Sequence, residues 1–239
     1  MPEPEDWRAG YRRGSQHRVD GAPLMSVDST SPVRAALLTL LLTLLLALSF
    51  QGGRGLWGPD EGRYSNIALQ MVDSGDWLTP RRHPDHEHWA KPPLTYWAIG
   101  ASVVVFGHGE AALRLPNALS LVATALLLVL LGRHLVPTAP WLPALIFSTS
   151  LVPFGAGNWI NTDYLLTVFE TLAMLGFVQL WQAPDARAAG RGRAVLWTGL
   201  ALAFMTKGPP GLLPLLPMLA FRWTLPQPRP RVLTWRTLA

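Results

Sequence analysis

Asp60 and Glu61 stand side by side behind Pro59, with Arg63 just beyond, immediately after the first long apolar run of the chain. A carboxylate at the mouth of a membrane cavity can act as a general base towards a hydroxyl or amine acceptor, and a guanidinium matches phosphate geometry. The same two acids would also serve as cap and first-turn acid of a helix, where the dipole favours them. Asp163 repeats the pattern: it follows Asn161 and Thr162 and opens another apolar run, as a cap or as a second acid of the same site. Together Asp60 and Asp163 could orient an acceptor or hold a divalent cation. The chain is rich in arginine, and Lys91 and Lys207 are its only lysines. Lys91, in AKPP, precedes two prolines, so its backbone is extended and stiff. Its ammonium could bind a lipid phosphate or snorkel to the headgroups. Lys207, in MTKGPPG, marks a helix break between two apolar segments, and broken helices at membrane depth line cavities. Arg63 and Arg114 are further phosphate candidates. Glu61 and Glu170 are candidate supporting acids; Glu170 lies inside an apolar run, two turns from Asp163 on one helical face. His83, His86 and His88, with Asp85 and Glu87, look like a metal cluster, but their spacing fits no strong motif and a solvated loop is expected.

The elements that must position these residues read as membrane helices. Hydrophobic residues make up 49% of the chain and charged residues 15%, and the apolar residues come in blocks parted by short polar joints. There is no cysteine, which rules out disulfides and thiolate metal sites. The net charge of +5 does not point to nucleic acid, because the arginines sit in the joints between apolar blocks rather than on a basic face with interleaved aromatics. Residues 1–32 are polar and read as a disordered cytoplasmic leader. Residues 33–50 form the first span; the leader is too long, and a cleavage site too absent, for a signal peptide. Residues 51–114 read as an external loop. It carries an amphipathic helix over 61–74, where Tyr64, Ile67, Ala68, Met71 and Val72 share one face and Gly75 terminates it. Such a helix lies among the headgroups.

Residues 94–106 are apolar but short, so they read as interfacial or re-entrant rather than spanning. Further spans are expected within 115–223: runs at 115–135, 141–157 and 164–182, then two shorter ones, 194–205 and 211–223, flanking Lys207. Residues 224–239 read as a cytoplasmic tail. If 94–106 does not cross, the amino terminus, the joint at Arg133 and His134, and the joint at Arg187, Arg191 and Arg193 all fall on the cytoplasmic side, as the positive-inside bias requires. The same arrangement places Asp60, Lys91, Asp163 and Lys207 together on the outer face.

At GPDEGRY, SGDWLTP, AKPPLTYW, ALRLPNAL, NTDYLLT and TKGPPG, in that order, the chain resembles the polytopic membrane glycosyltransferases that include the aminoarabinose transferases acting on lipid A and the protein O-mannosyltransferases. The resemblance implies an all-α, polytopic transmembrane, C-type glycosyltransferase fold with amphipathic juxtamembrane helices in the first external loop. It implies a polyprenyl-phosphate-linked sugar as donor; the scarcity of lysine beside arginine points to a GC-rich bacterial genome, and so to undecaprenyl phosphate as the expected carrier. The acceptor, a lipid, a glycan or a protein, is left open. It implies an inverting transfer on the outer side of the inner membrane. Asp60 is then the catalytic carboxylate, Asp163 a second active-site acid, and Lys91 and Arg63 approach the donor phosphate; Lys207 and Arg114 join them as phosphate candidates by residue type alone. Ala90 stands where the aminoarabinose transferases usually have Glu before Lys-Pro-Pro, which bears on metal binding there. The chain ends at Ala239, whereas family members run considerably longer, so a fragment or truncated product, inactive alone, is expected. Two other readings stand beside the transferase: a transporter or flippase of lipid-linked sugars, and an inactive fragment that only binds lipid phosphate.

Overall fold

The computed structural model describes residues 31–224; of the leader expected over 1–32 only Ser31 and Pro32 are described, as the start of the first helix, and the tail expected over 224–239 lies outside the described residues beyond Thr224. Helix α1, Pro32–Leu48, starts where the Ser31 hydroxyl accepts from the Arg34 amide and Pro32 needs no donor partner. Ala36, Thr39, Thr43 and Ala47 form its narrow buried stripe, while Leu37, Leu38, Leu41 and Leu45 are exposed. A helix that buries its small residues and turns its leucines outward is built for lipid, where close backbone approach drives packing.

The centre of the molecule is α4, Glu110–Leu135, which packs on α1, on α5 (Leu142–Thr149), on α3 (Leu94–Phe106) and on α7 (Asp163–Trp181). Pro116 inside α4 cannot donate to the carbonyl of Ala112. The Ser102 hydroxyl, from α3, donates to that carbonyl at 2.6 Å instead. The residues expected as one span over 141–157 form two helices, α5 and α6 (Leu151–Gly157). Pro153 has no N–H to continue the ladder, Ser150 is extended, and the Thr149 and Ser150 hydroxyls fold back onto the carbonyls of Leu145 and Ile146.

Helix α7 and helix α8, Ala186–Lys207, form the tightest pair in the fold. A Cβ added at Gly199 would lie 2.5 Å from the Ala173 amide nitrogen, and one at Gly176 2.3 Å from that of Leu196. Only hydrogen fits at either place, so the glycines set the separation of the two backbones. The Asp185 carboxylate caps α8 through the Ala188 amide at 2.7 Å. A 3₁₀ turn, Pro209–Leu212, then leads to α9, Leu215–Thr224, whose Met218 joins Phe177 and Leu180.

Helix α2, Gly58–Ser74, buries Tyr64, Ile67, Ala68 and Met71 against Tyr96, Ile99 and Val103 of α3. The expected face is therefore the observed one, with Val72 half-buried and Gly75 left-handed at φ 72°. Helix α3 has 13 residues, about 20 Å of rise against a ~30 Å hydrocarbon core. Between α2 and α3 lies a two-stranded hairpin, β1 (Arg81–His83) with β2 (His86–Glu87), whose first strand packs on α2, with the Asn66 side chain donating to the Arg82 carbonyl at 2.7 Å. Two described helices, α4 and α7, are long and apolar enough to cross a membrane; α1 and α3 are shorter apolar helices.

The two ends of the bundle differ in charge. Ala36 near the start of α1 packs with Val129 and Ala144, and the His134 ring bonds Gln182 at 2.7 Å, so Arg34, Arg133 and the arginines opening α8 share one end. Ala47 at the other end of α1 packs with Ala118, Leu121 and Tyr164, the end that also carries the start of α7 and the finish of α8.

Candidate active site

The start of α2 is built around a fully buried acid. Glu61 is 0% exposed, and its carboxylate accepts six hydrogen bonds. Arg54 and Arg114 each supply two, the Trp57 amide supplies one at 2.6 Å, and the Ile160 amide one at 3.1 Å. Burial alone would push this carboxyl up; the bonds from Arg114, Arg54, Trp57 and Ile160 outweigh it and hold the group down at about 2. Arg114, also 0% exposed, gives its remaining N–H groups to the carbonyls of Gln51, Arg54 and Gly55. All five of its donors are committed inside the protein. Arg114 was expected at a phosphate; with no donor left and no exposed surface, it holds the 51–55 loop instead. Glu61 is likewise a structural acid here rather than one open to substrate.

Asp60, one residue earlier, points the other way. Its side chain is 51% exposed and pairs with Arg63 one turn on, and Arg63 lies over the Tyr64 ring at 5.2 Å. Burial first, and then the charges of Arg63 and Arg82, hold the His88 imidazole below its usual value. Asp163 opens α7. The Asn161 side chain accepts from the Asp163 and Tyr164 amides at 2.8 and 3.2 Å, fixing the first turn. The Asp163 carboxylate is 61% exposed and ion-paired with Lys207, the last residue of α8. Gly208 follows with φ 73° and lies against Pro92, where an added Cβ would be 3.9 Å from the proline ring. The TKGP and AKPP segments therefore adjoin, and half-buried Lys91 makes no ion pair among the described residues.

The segment between α6 and α7 joins the two acids. The Asn117 side chain donates to the carbonyls of Trp159 and Asn161, Arg54 donates to that of Asn158 at 2.6 Å, and Glu61 takes the Ile160 amide. Asp60 and Asp163 are thus brought to one end of the bundle, each exposed and each beside a cation. Glu170 lies two turns further along α7 from Asp163 and lines an open, largely apolar cleft of ≈ 510 Å³ with Leu128, Leu131, Thr171, Met174 and Pro214. On the hairpin, His83 and His86 are exposed, and Glu87 accepts from the Trp89 indole at 2.8 Å. No three His, Asp or Glu groups are placed to hold a metal ion among the described residues.

Sequence reasoning passed over Arg54, Asn117 and Asn158. Arg54 sits in GGRG, seven residues before Glu61 across a loop, and Asn117 lies 42 residues from Trp159. Neither spacing has a helical period to betray it. The one usable signal was a lone arginine in a glycine loop beside paired acids, since a charge there needs a partner.

The chain as a whole is similar to known proteins. Residues 90–236 match the family model described as dolichyl-phosphate-mannose-protein mannosyltransferase. The undecaprenyl phosphate-alpha-4-amino-4-deoxy-L-arabinose arabinosyl transferase 2 of Pseudomonas fluorescens (strain Pf0-1) is 37% identical over 195 residues, covering 79% of this chain and 34% of the relative. The corresponding transferase of Edwardsiella ictaluri (strain 93-146) is 36% identical over 158 residues, covering 65% of this chain and 28% of the relative. The chain thus spans about a third of the length of these curated relatives. Its fold superposes on the crystal structure of ArnT from Cupriavidus metallidurans in the apo state with a TM-score of 0.68 and 27% identity, covering 78% of this chain and 35% of that one. For the same protein bound to undecaprenyl phosphate the TM-score is 0.65 at 26% identity, covering 84% and 37%.

Proposed function

The chain belongs to the dolichyl-phosphate-mannose-protein mannosyltransferase family, and from that membership we propose that it moves a sugar from a polyprenyl-phosphate donor to an acceptor at the outer surface of the inner membrane. The fold is the all-α, polytopic C-type glycosyltransferase fold of ArnT. The observation that carries the reading is the pair of exposed carboxylates, Asp60 and Asp163, held at one end of the bundle beside Arg63 and Lys207. The relatives' names and the undecaprenyl phosphate bound to ArnT support a lipid-phosphate sugar, with aminoarabinose the first to test.

In this mechanism Asp60 takes a proton from the acceptor nucleophile, and Asp163 orients that acceptor. The nucleophile forms its bond to the anomeric carbon from the face opposite the lipid phosphate. The bond from that carbon to the phosphate oxygen breaks, and the electron pair leaves with the phosphate. The anomeric configuration inverts. Lys91, Arg63 and Lys207 offset the charge gained by the departing phosphate, which is worth roughly 10²- to 10³-fold for each well-placed donor. Glu61 and Arg114 hold the frame. The basic end of the bundle faces the cytoplasm under the positive-inside bias, so the carboxylate end faces outward.

The test is transfer of radiolabelled aminoarabinose from undecaprenyl phosphate in liposomes, with the chain alone and with the chain joined to the downstream two thirds of the Pseudomonas fluorescens relative. Transfer that disappears in Asp60→Asn is expected. A flippase would move the intact lipid-linked sugar across the bilayer without cleaving it, and that outcome, or equal turnover by Asp60→Asn, rejects the reading.

A further inference from the structure

We propose that Glu61, through Arg54, Arg114 and the Ile160 amide, is a positioning residue that fixes the two exposed carboxylates relative to each other. The inference rests on the transferase reading for its kinetic consequence alone. One carboxylate here joins four stretches of chain: the 51–57 loop through Arg54 and the Trp57 amide, α2 through its own backbone, α4 through Arg114, and the 158–162 segment through Ile160. That last segment has no regular structure of its own. Its place is set by Glu61, by Arg54 on the Asn158 carbonyl, and by Asn117 on the carbonyls of Trp159 and Asn161. Asn161 in turn holds the amides of Asp163 and Tyr164. A continuous path of hydrogen bonds and backbone therefore runs from Asp60, the neighbour of Glu61, to Asp163, three residues past Ile160.

Bulk packing does not account for this. The contacts are polar and wholly or partly buried, six of them gather on the Glu61 carboxylate, and none of those six comes from Asp60 or Asp163. Its influence on them passes through backbone position. A reacting geometry displaced by about 1 Å by a change remote from the chemistry loses on the order of 10²-fold in rate.

The experiment separates position from stability. Glu61→Gln alone strands the Arg114 charge and destabilises the fold. The double variant Glu61→Met with Arg114→Met removes that stranded charge and recovers part of the stability, but leaves no acceptor for the Ile160 amide; Arg114→Met alone, in which Glu61 keeps Arg54 and Ile160, controls for the lost bonds to the 51–55 carbonyls. The chain has no cysteine, so spin labels can be placed freely. Gly62→Cys and Gly155→Cys, both with open space at Cβ, report on the start of α2 against the end of α6. Leu135→Cys with Gly190→Cys reports on the opposite end. In liposomes the double variant is expected to widen the first distance distribution and leave the second unchanged. In the transfer assay it is expected to keep the donor KM within about twofold while kcat falls roughly 10- to 100-fold. A first distribution as narrow as in the parent chain, or a kcat that returns with stability, overturns the proposal. If the parent shows no transfer in any form, the transferase reading fails, and the label widths still decide whether Glu61 positions the segment.

Discussion

Acid should loosen this fold through one identifiable carboxyl. The folded Glu61 carboxyl lies at about 2, below its ordinary value of 4.5. A group depressed on folding stabilises above its ordinary value, and that contribution is lost as the pH falls towards the folded value. The full difference is about 3 kcal/mol at about 1.4 kcal/mol per unit. By pH 3, about 2 kcal/mol of it is gone. The assay is thermal unfolding in lipid nanodiscs at pH 7, 5 and 3, for the parent chain and for Glu61→Gln. At pH 7 the variant is expected to be less stable by about 3–5 kcal/mol, the cost of a buried arginine without its partner. Other acids, such as Asp76, which hydrogen bonds from Thr79 hold below its usual value, titrate alike in both proteins and cancel. The gap should stay constant from pH 7 to 5 and narrow by about 2 kcal/mol at pH 3. A gap that is the same at pH 7 and pH 3 refutes the claim that the six bonds keep Glu61 charged.

Three further outcomes can be checked independently. Ser102→Ala strands the Ala112 carbonyl and should cost about 1–3 kcal/mol in unfolding free energy. Adding Pro116→Ala, which restores an amide to that carbonyl, should recover part of the loss, and a purely additive double-mutant cycle would contradict the pairing. Gly199→Leu forces side-chain atoms where even a Cβ meets the Ala173 backbone at 2.5 Å, so thermal unfolding should show a loss of at least about 1–3 kcal/mol. Lys207→Met, which frees Asp163 and removes a cation facing the leaving phosphate, should lower kcat by about 10²-fold in the transfer assay, with Lys207→Arg retaining more activity. Equal rates for all three would remove Lys207 from the mechanism.

What could be read from the sequence follows the range of each interaction. The α2 face was legible because Tyr64, Ile67, Ala68 and Met71 repeat with the helical period, and Gly75 closes the helix by its conformation. The span of α3 was legible from its length and the prolines before it. The split of 141–157 into α5 and α6 was not, because a lone Pro153 in an apolar run can kink a helix, break it, or sit harmlessly in a first turn. The partnership of Glu61 with Arg114 spans 53 residues and leaves no local trace. Charge type alone made Arg114 a phosphate candidate and Glu61 a supporting or first-turn acid, and only their burial and the count of filled donors pairs them. The outward turn of Asp60 against the inward turn of Glu61 is a similar case, since adjacent residues on a helix differ by about 100° in direction.

The glycine-spaced pair α7 and α8 has one more consequence. Asp163 opens the first helix and Lys207 closes the second, so the two charges stand at the free tips of a caliper whose jaws are set by Gly176, Gly192 and Gly199. A thicker or thinner bilayer tilts such a caliper as one rigid piece. The gap between its tips is fixed by backbone contact far below them, so the acid and its cation keep their spacing whatever the depth of the surrounding hydrocarbon.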